Sequence, residues 1–137
     1  MTLFVPITAC TAILLALLFI RLAFAVIKKR RQHKVALGTG QYPDLEAAIR
    51  AHGNFAEYVP LALALLACAE LNHAPWWLLV ITALALVVGR YVHALAIPGR
   101  DLKKRVLGMQ LTFASLALGV TANVVPLVLA LANTSKV

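Results

Sequence analysis

The sequence predicts an all-α membrane protein, a four-transmembrane-helix bundle, and three observations carry that prediction. Apolar residues make up 62% of the 137 positions, well above the roughly 45–50% of soluble domains. They fall into four stretches, each near the length of about 20 residues that a helix needs to cross a bilayer. The 13 lysines and arginines, set against 5 acidic residues, concentrate in two short segments between those stretches instead of spreading along a soluble face. Four crossings use the whole length, so residues 1–137 are expected to form a single transmembrane domain.

The first helix is expected over about residues 3–27, with Arg21 close enough to its end to snorkel into the headgroups. Its apolar run exceeds signal-peptide length and has no small-residue cleavage site ahead of soluble sequence, so the helix is expected to be retained. Lys28, Lys29, Arg30, Arg31, His33 and Lys34, with the Gly-Thr-Gly turn at Gly38 to Gly40, read as a loop. Pro43 and Asp44 begin the second helix, about 44–71, with Asp44 as the expected N-cap. Asn72 to Pro75 form an uncharged turn, and Trp76 and Trp77 open the third helix, about 75–96, as an interfacial aromatic belt does. A second basic loop, Pro98 to Arg105, leads into the fourth helix, about 104–132, which contains Asn123 and Pro126. Cys10 and Cys68 lie in apolar runs without ligand spacing, so both are expected to pack in the core, with no disulfide framework and no metal site.

Short loops rich in Lys and Arg stay cytoplasmic. The basic loops follow helices one and three, so both termini are expected outside the cytoplasm. Basic segments this short, without interleaved aromatics, face anionic lipid headgroups, at about 1 kcal/mol per cation; nucleic acid is not an expected partner.

The polar first half of helix two carries the functional argument. Arg50, Asn54 and Glu57 are four and three residues apart, which at the helical period places them in one narrow arc, and Glu46 extends the stripe toward the loop. His52 points to nearly the opposite face, as a residue at a subunit contact does. A charge at membrane depth costs at least about 2.5–3.5 kcal/mol, so Arg50 and Glu57 must face protein or a wet cavity. Two readings of the pair stand open from the residues alone: a ligand site, or a buried interhelical ion pair that only fixes packing. Arg90 and His93 on helix three, and Lys103, Lys104 and Arg105 at the start of helix four, reach the same level. Where these three helices meet, a cation-rich polar pocket is expected.

The segment Arg50-Ala-His-Gly-Asn-Phe-Ala-Glu-Tyr-Val-Pro60 resembles the second-helix signature of the MAPEG superfamily, the membrane-associated proteins in eicosanoid and glutathione metabolism. Lys34-Val-Ala-Leu-Gly-Thr-Gly and Ala48-Ile-Arg-Ala-His-Gly-Asn resemble its bacterial inner-membrane branch. The resemblance implies a homotrimer of four-helix subunits in the bacterial inner membrane. It also implies that glutathione binds between neighbouring subunits as co-substrate, with a lipophilic second substrate or lipid arriving from the bilayer. Carried over by position, it implies glutathione contacts from Arg50, Asn54, Glu57 and Tyr58, with His52, His93, Arg90, Arg30 and Lys104 as further contacts. Arg105, or Lys104 with a one-residue shift, matches the arginine that stabilises the glutathione thiolate. Where some members carry tyrosines, this chain has Ile97 and, by approximate alignment, Met109.

The expected function is therefore a glutathione transferase or peroxidase acting on hydrophobic electrophiles or lipid hydroperoxides. The alternative is a non-catalytic lipid-binding or scaffold protein of the same fold. A small multidrug transporter, also four-helical, needs an acidic residue midway along its first helix, and helix one here has none.

Overall fold

The computed structural model describes residues 4–97 and 101–134. Four helices follow in order: α1 Pro6–His33, α2 Pro43–Leu71, α3 Trp76–Ala96 and α4 Leu102–Thr134. All four are long and apolar enough to cross a membrane. Helix α1 lies against α2 and α3, and α4 lies against α3 and α2; α1 and α4 do not meet among the described residues. Apolar packing divides into a cluster around Leu18, Phe55 and Leu86 and a second around Leu66, Leu79 and Ala122.

Three of the helices run past an expected bound, while α3 stays within its own. The start placed at Leu3 lies outside the described residues, but the other end of α1 is a correction: the segment read as a loop is helical through His33. Lys and Arg are good helix formers, and what stops the helix is Lys34, left-handed at φ 56. The Lys34 amide bonds back to the Arg31 carbonyl, and the Val35 amide to that of Arg30. Gly40, at φ +55, is required where it stands, because a Cβ there would sit 2.7 Å from a Val35 methyl.

Tyr42, not Asp44, occupies the N-cap of α2, with Pro43 in the first turn. Asp44 instead bridges back to α1, with Oδ2 2.8 Å from Lys29 Nζ and Oδ1 2.9 Å from His33 Nε2, while the His33 ring stacks on Tyr42. At the opposite end of the same two helices, Glu70 accepts the backbone N–H groups of Ile7 and Thr8 at 2.9 and 2.8 Å. Those are first-turn donors without partners of their own, at the positive end of the α1 dipole. Cys10 and Cys68 are exposed on the bundle surface, correcting the expectation that they pack inside.

Helix α4 begins two residues earlier than expected, at Leu102, so Lys103, Lys104 and Arg105 stand in its first turn; Pro98 to Arg100 lie outside the described residues. Asp101 holds that turn by accepting the Lys104 amide at 3.1 Å, with the Lys104 ammonium 3.2 Å away. Helices α3 and α4 touch backbone to backbone, because a Cβ on Gly108 would come within 2.7 Å of His93 Cβ and one on Gly89 within 3.0 Å of the Gly108 carbonyl.

Three outcomes follow from these contacts. Gly108→Ala should destabilise the protein by about 1–3 kcal/mol through overpacking. Gly53→Ala, whose added methyl meets nothing within 4 Å, should stabilise it by up to about 1 kcal/mol through helix propensity; thermal unfolding in detergent reads both signs. Glu70→Ala, which strands two amides, should cost about 1–3 kcal/mol in the same assay. The Lys104 amide, and then its ammonium, hold the Asp101 carboxyl below the usual carboxylate range. Its contribution to the start of α4 is therefore complete above the ordinary pKa of about 4 and lost as the pH falls through the depressed value; amide exchange at Lys104 should accelerate only at that acid end.

Candidate functional site

The polar arc of α2 faces a cavity of about 620 Å³, inside the usual range of about 300–1,000 Å³ for ligand sites. From α2 it is lined by Glu46, Ile49, Arg50, Gly53, Asn54 and Glu57, from α3 by His93 and from its C-cap by Ile97, from α4 by Arg105, and from the α1–α2 loop by Thr39. Each side chain gets there for a local reason. The 3.6-residue period aligns Glu46, Arg50, Asn54 and Glu57, the Gly89–Gly108 contact brings α4 close to α3, and the Asp101 cap sets the turn that carries Arg105.

Glu46, Arg50, Glu57 and Arg105 have no ion-pair partner within 4.0 Å among the described residues, where the ion pairs are those of Asp44 and Asp101. Arg50 and Glu57 are thus not a buried pair that fixes packing within the subunit. Both are exposed on the cavity wall. No three His, Cys, Asp or Glu side chains among the described residues converge as a metal site requires.

Arg90 stands one layer behind. It is 0% exposed and does not line the cavity. Its Nη2 donates to Asn54 Oδ1 at 2.8 Å and approaches His93 Nδ1 at 3.5 Å, while Nη1 meets Thr112 Oγ1 at 3.4 Å and the Met109 sulfur at 3.9 Å. Its guanidinium carbon lies 5.7 Å from the Phe55 ring centroid. The Nε atom is buried without a partner, and no carboxylate is within 4.0 Å among the described residues.

The remaining sequence-derived residues lie away from this cavity within one subunit. Tyr58 packs edge-on against Phe113 of α4, with ring centroids 5.6 Å apart. His52 lies against Phe19 of α1 at 4.7 Å, off the polar arc as its position on the helix required. Arg30 donates from Nη1 to the carbonyls of Ala36 and Gly38, both at 3.1 Å, and so fastens the loop that follows α1. Lys104 turns to Asp101, whereas Arg105 lines the cavity.

A second, mostly apolar pocket of about 300 Å³ opens beside the first, between Leu102, Val106, Met109, Gln110 and Phe113 of α4 and His93 of α3. It shares His93 and Arg105 with the polar cavity. Sequence reasoning missed this pocket, since its apolar lining has no spacing that separates it from any lipid-facing helix surface. It also missed Glu70 and Thr39. The Gly-Thr-Gly turn was the one signal for Thr39, marking where the loop doubles back.

Known proteins agree with this architecture. The sequence matches the profile of the MAPEG family over residues 8–125. It is 38% identical over 117 residues to the inner membrane protein YecN of Escherichia coli K12, covering 85% of this chain and 89% of that protein, and equally to YecN of the O6:H1 strain CFT073. The match spans all or most of each helix, and this chain belongs to the MAPEG family.

Proposed function

We propose that this protein binds glutathione and uses it as a transferase or peroxidase on hydrophobic electrophiles or lipid hydroperoxides. One observation carries the reading: a polar cavity with charges of both signs, unpaired among the described residues, joins an apolar pocket through two shared residues, His93 and Arg105. Glutathione brings two carboxylates and one ammonium. Arg50 and Arg105 suit the carboxylates and the sulfur, the guanidinium fork giving directional bonds, and Glu57 or Glu46 suits the ammonium. A free thiol with a pKa of about 8.5 is mostly protonated at neutral pH, and an adjacent cation lowers that value; Arg105 takes this role.

The thiolate then attacks where polar cavity and apolar pocket meet. On an electrophilic carbon, a C–S bond forms as the bond to the leaving group breaks. On a hydroperoxide, sulfur takes the terminal oxygen, the O–O bond breaks and the alcohol leaves; a second glutathione converts the sulfenate to the disulfide with release of water. The lipophile reaches His93 and Arg105 along Leu102, Val106, Met109 and Phe113.

The subunits associate as a homotrimer in the bacterial inner membrane. The basic ends of α1 and α4 lie on the cytoplasmic side, and both termini lie outside. A site between subunits accounts for Arg30 and His52, which lie off the cavity of their own chain and serve the neighbour's. A second reading, a lipid-binding protein of the same fold without catalysis, draws on Ile97 and Met109. Both stand at the site where the resemblance expects hydroxyls.

Equilibrium binding to detergent-purified protein, with the ultraviolet absorbance of the thiolate, separates these. Arg50→Ala and Glu57→Ala should each weaken glutathione binding at least about tenfold, the loss of one charge-assisted contact of about 1.5–3 kcal/mol; unchanged affinity in both rejects the site. Arg105→Ala should still bind while losing the thiolate band. A wild-type protein that binds lipid, shows no thiolate and turns nothing over is the scaffold.

A further inference from the structure

Arg90 presents an energetic problem that packing alone does not solve. A charge buried in a membrane-embedded bundle is costly, and a buried cation is ordinarily paired with an anion. Arg90 is 0% exposed and among the described residues meets only neutral groups: Asn54 from α2, His93 from its own helix, and Thr112 and Met109 from α4. The two that also line the polar cavity are Asn54 and His93.

The chemistry of those contacts fixes which atoms face the ligand. Guanidinium has donors and no acceptor, so the Asn54 atom facing Arg90 must be the carbonyl oxygen, and the NH2 group is left for the cavity. The same argument applies to His93. A ring nitrogen that accepts from Arg90 carries no proton, so Nδ1 is bare and the N–H is at Nε2.

We infer that Arg90 is a positioning residue that makes the cavity an anion receptor. It turns the Asn54 NH2 and the His93 Nε2–H toward the ligand and places behind them a positive charge that a bound anion neutralises. This deepens the glutathione reading and rests on it. The charged groups around the cavity are Glu46, Arg50 and Glu57 from α2 and Arg105 from α4. With Arg90 behind Asn54 and His93, the α3–α4 side takes the anionic sulfur, and Glu57 and Glu46 on α2 take the ammonium.

The experiment titrates glutathione into detergent-purified wild type, Arg90→Gln, Arg90→Lys and Asn54→Asp, reading affinity, thiolate absorbance, oligomeric state and melting temperature. Arg90→Gln is expected to keep its oligomeric state, bind at least about tenfold more weakly and lose the thiolate band. Arg90→Lys, which restores the charge but not the fork, should recover part of both. Asn54→Asp supplies the missing carboxylate: the melting temperature should rise by about 3 °C or more while glutathione binding is lost. A folded Arg90→Gln that binds and ionises glutathione like wild type overturns the inference. If Arg90→Gln does not fold, Arg90→Lys and Asn54→Asp decide, and wild-type behaviour in both overturns it. A wild type that binds no glutathione overturns the glutathione reading itself. The uncompensated charge is then judged on melting alone, where an unchanged or lower value for Asn54→Asp overturns it.

Discussion

The need to surround one buried guanidinium with acceptors, where the solvent supplies none, organises the bundle around the polar cavity. Arg90 takes those acceptors from its own helix, α3, and from α2 and α4. Two of these neutral side chains, Asn54 and His93, also line the polar cavity, so the groups that answer a packing problem in the core are at the same time part of the wall. The close backbone contact of Gly89 and Gly108 is part of the same solution. It brings α4 against α3 at the level where Thr112 and Met109 meet the guanidinium.

That contact also explains why a polar and an apolar pocket adjoin. At the seam where Gly108 closes on His93, the two cavities share lining residues. His93 and Arg105 stand at the seam and belong to both. The polar and the apolar lining thus have a common boundary at these two residues.

Much of this was legible in the sequence, and the exceptions have physical causes. The arc of Glu46, Arg50, Asn54 and Glu57 follows from the helical period alone, as does the position of His52 off that arc. Four apolar stretches gave four helices with ends correct to within a few residues, except at the end of α1. There, charge was mistaken for loop, although Lys and Arg continue a helix readily once it projects past the hydrocarbon. The depth of Arg90 was hidden because α3 is apolar nearly all round, and periodicity cannot say which face of such a helix is inward. Glu70 was invisible for another reason: its partners, Ile7 and Thr8, lie 63 and 62 residues away in the chain, and no local pattern reports them.

Glu70 and Asp44 have a consequence for how the protein is made. Both acids belong to α2, and each closes one end of α1, Glu70 on its first amides and Asp44 on Lys29 and His33. The hairpin of the first two helices is therefore fastened at both ends by residues that have all been synthesised once Leu71 leaves the ribosome. The ties between α1 and α2 therefore need nothing from the second half of the chain, whereas the cavity on the other face of α2 needs His93 and Arg105, so one helix is fixed on one side by its neighbour in sequence and completed on the other by helices made later.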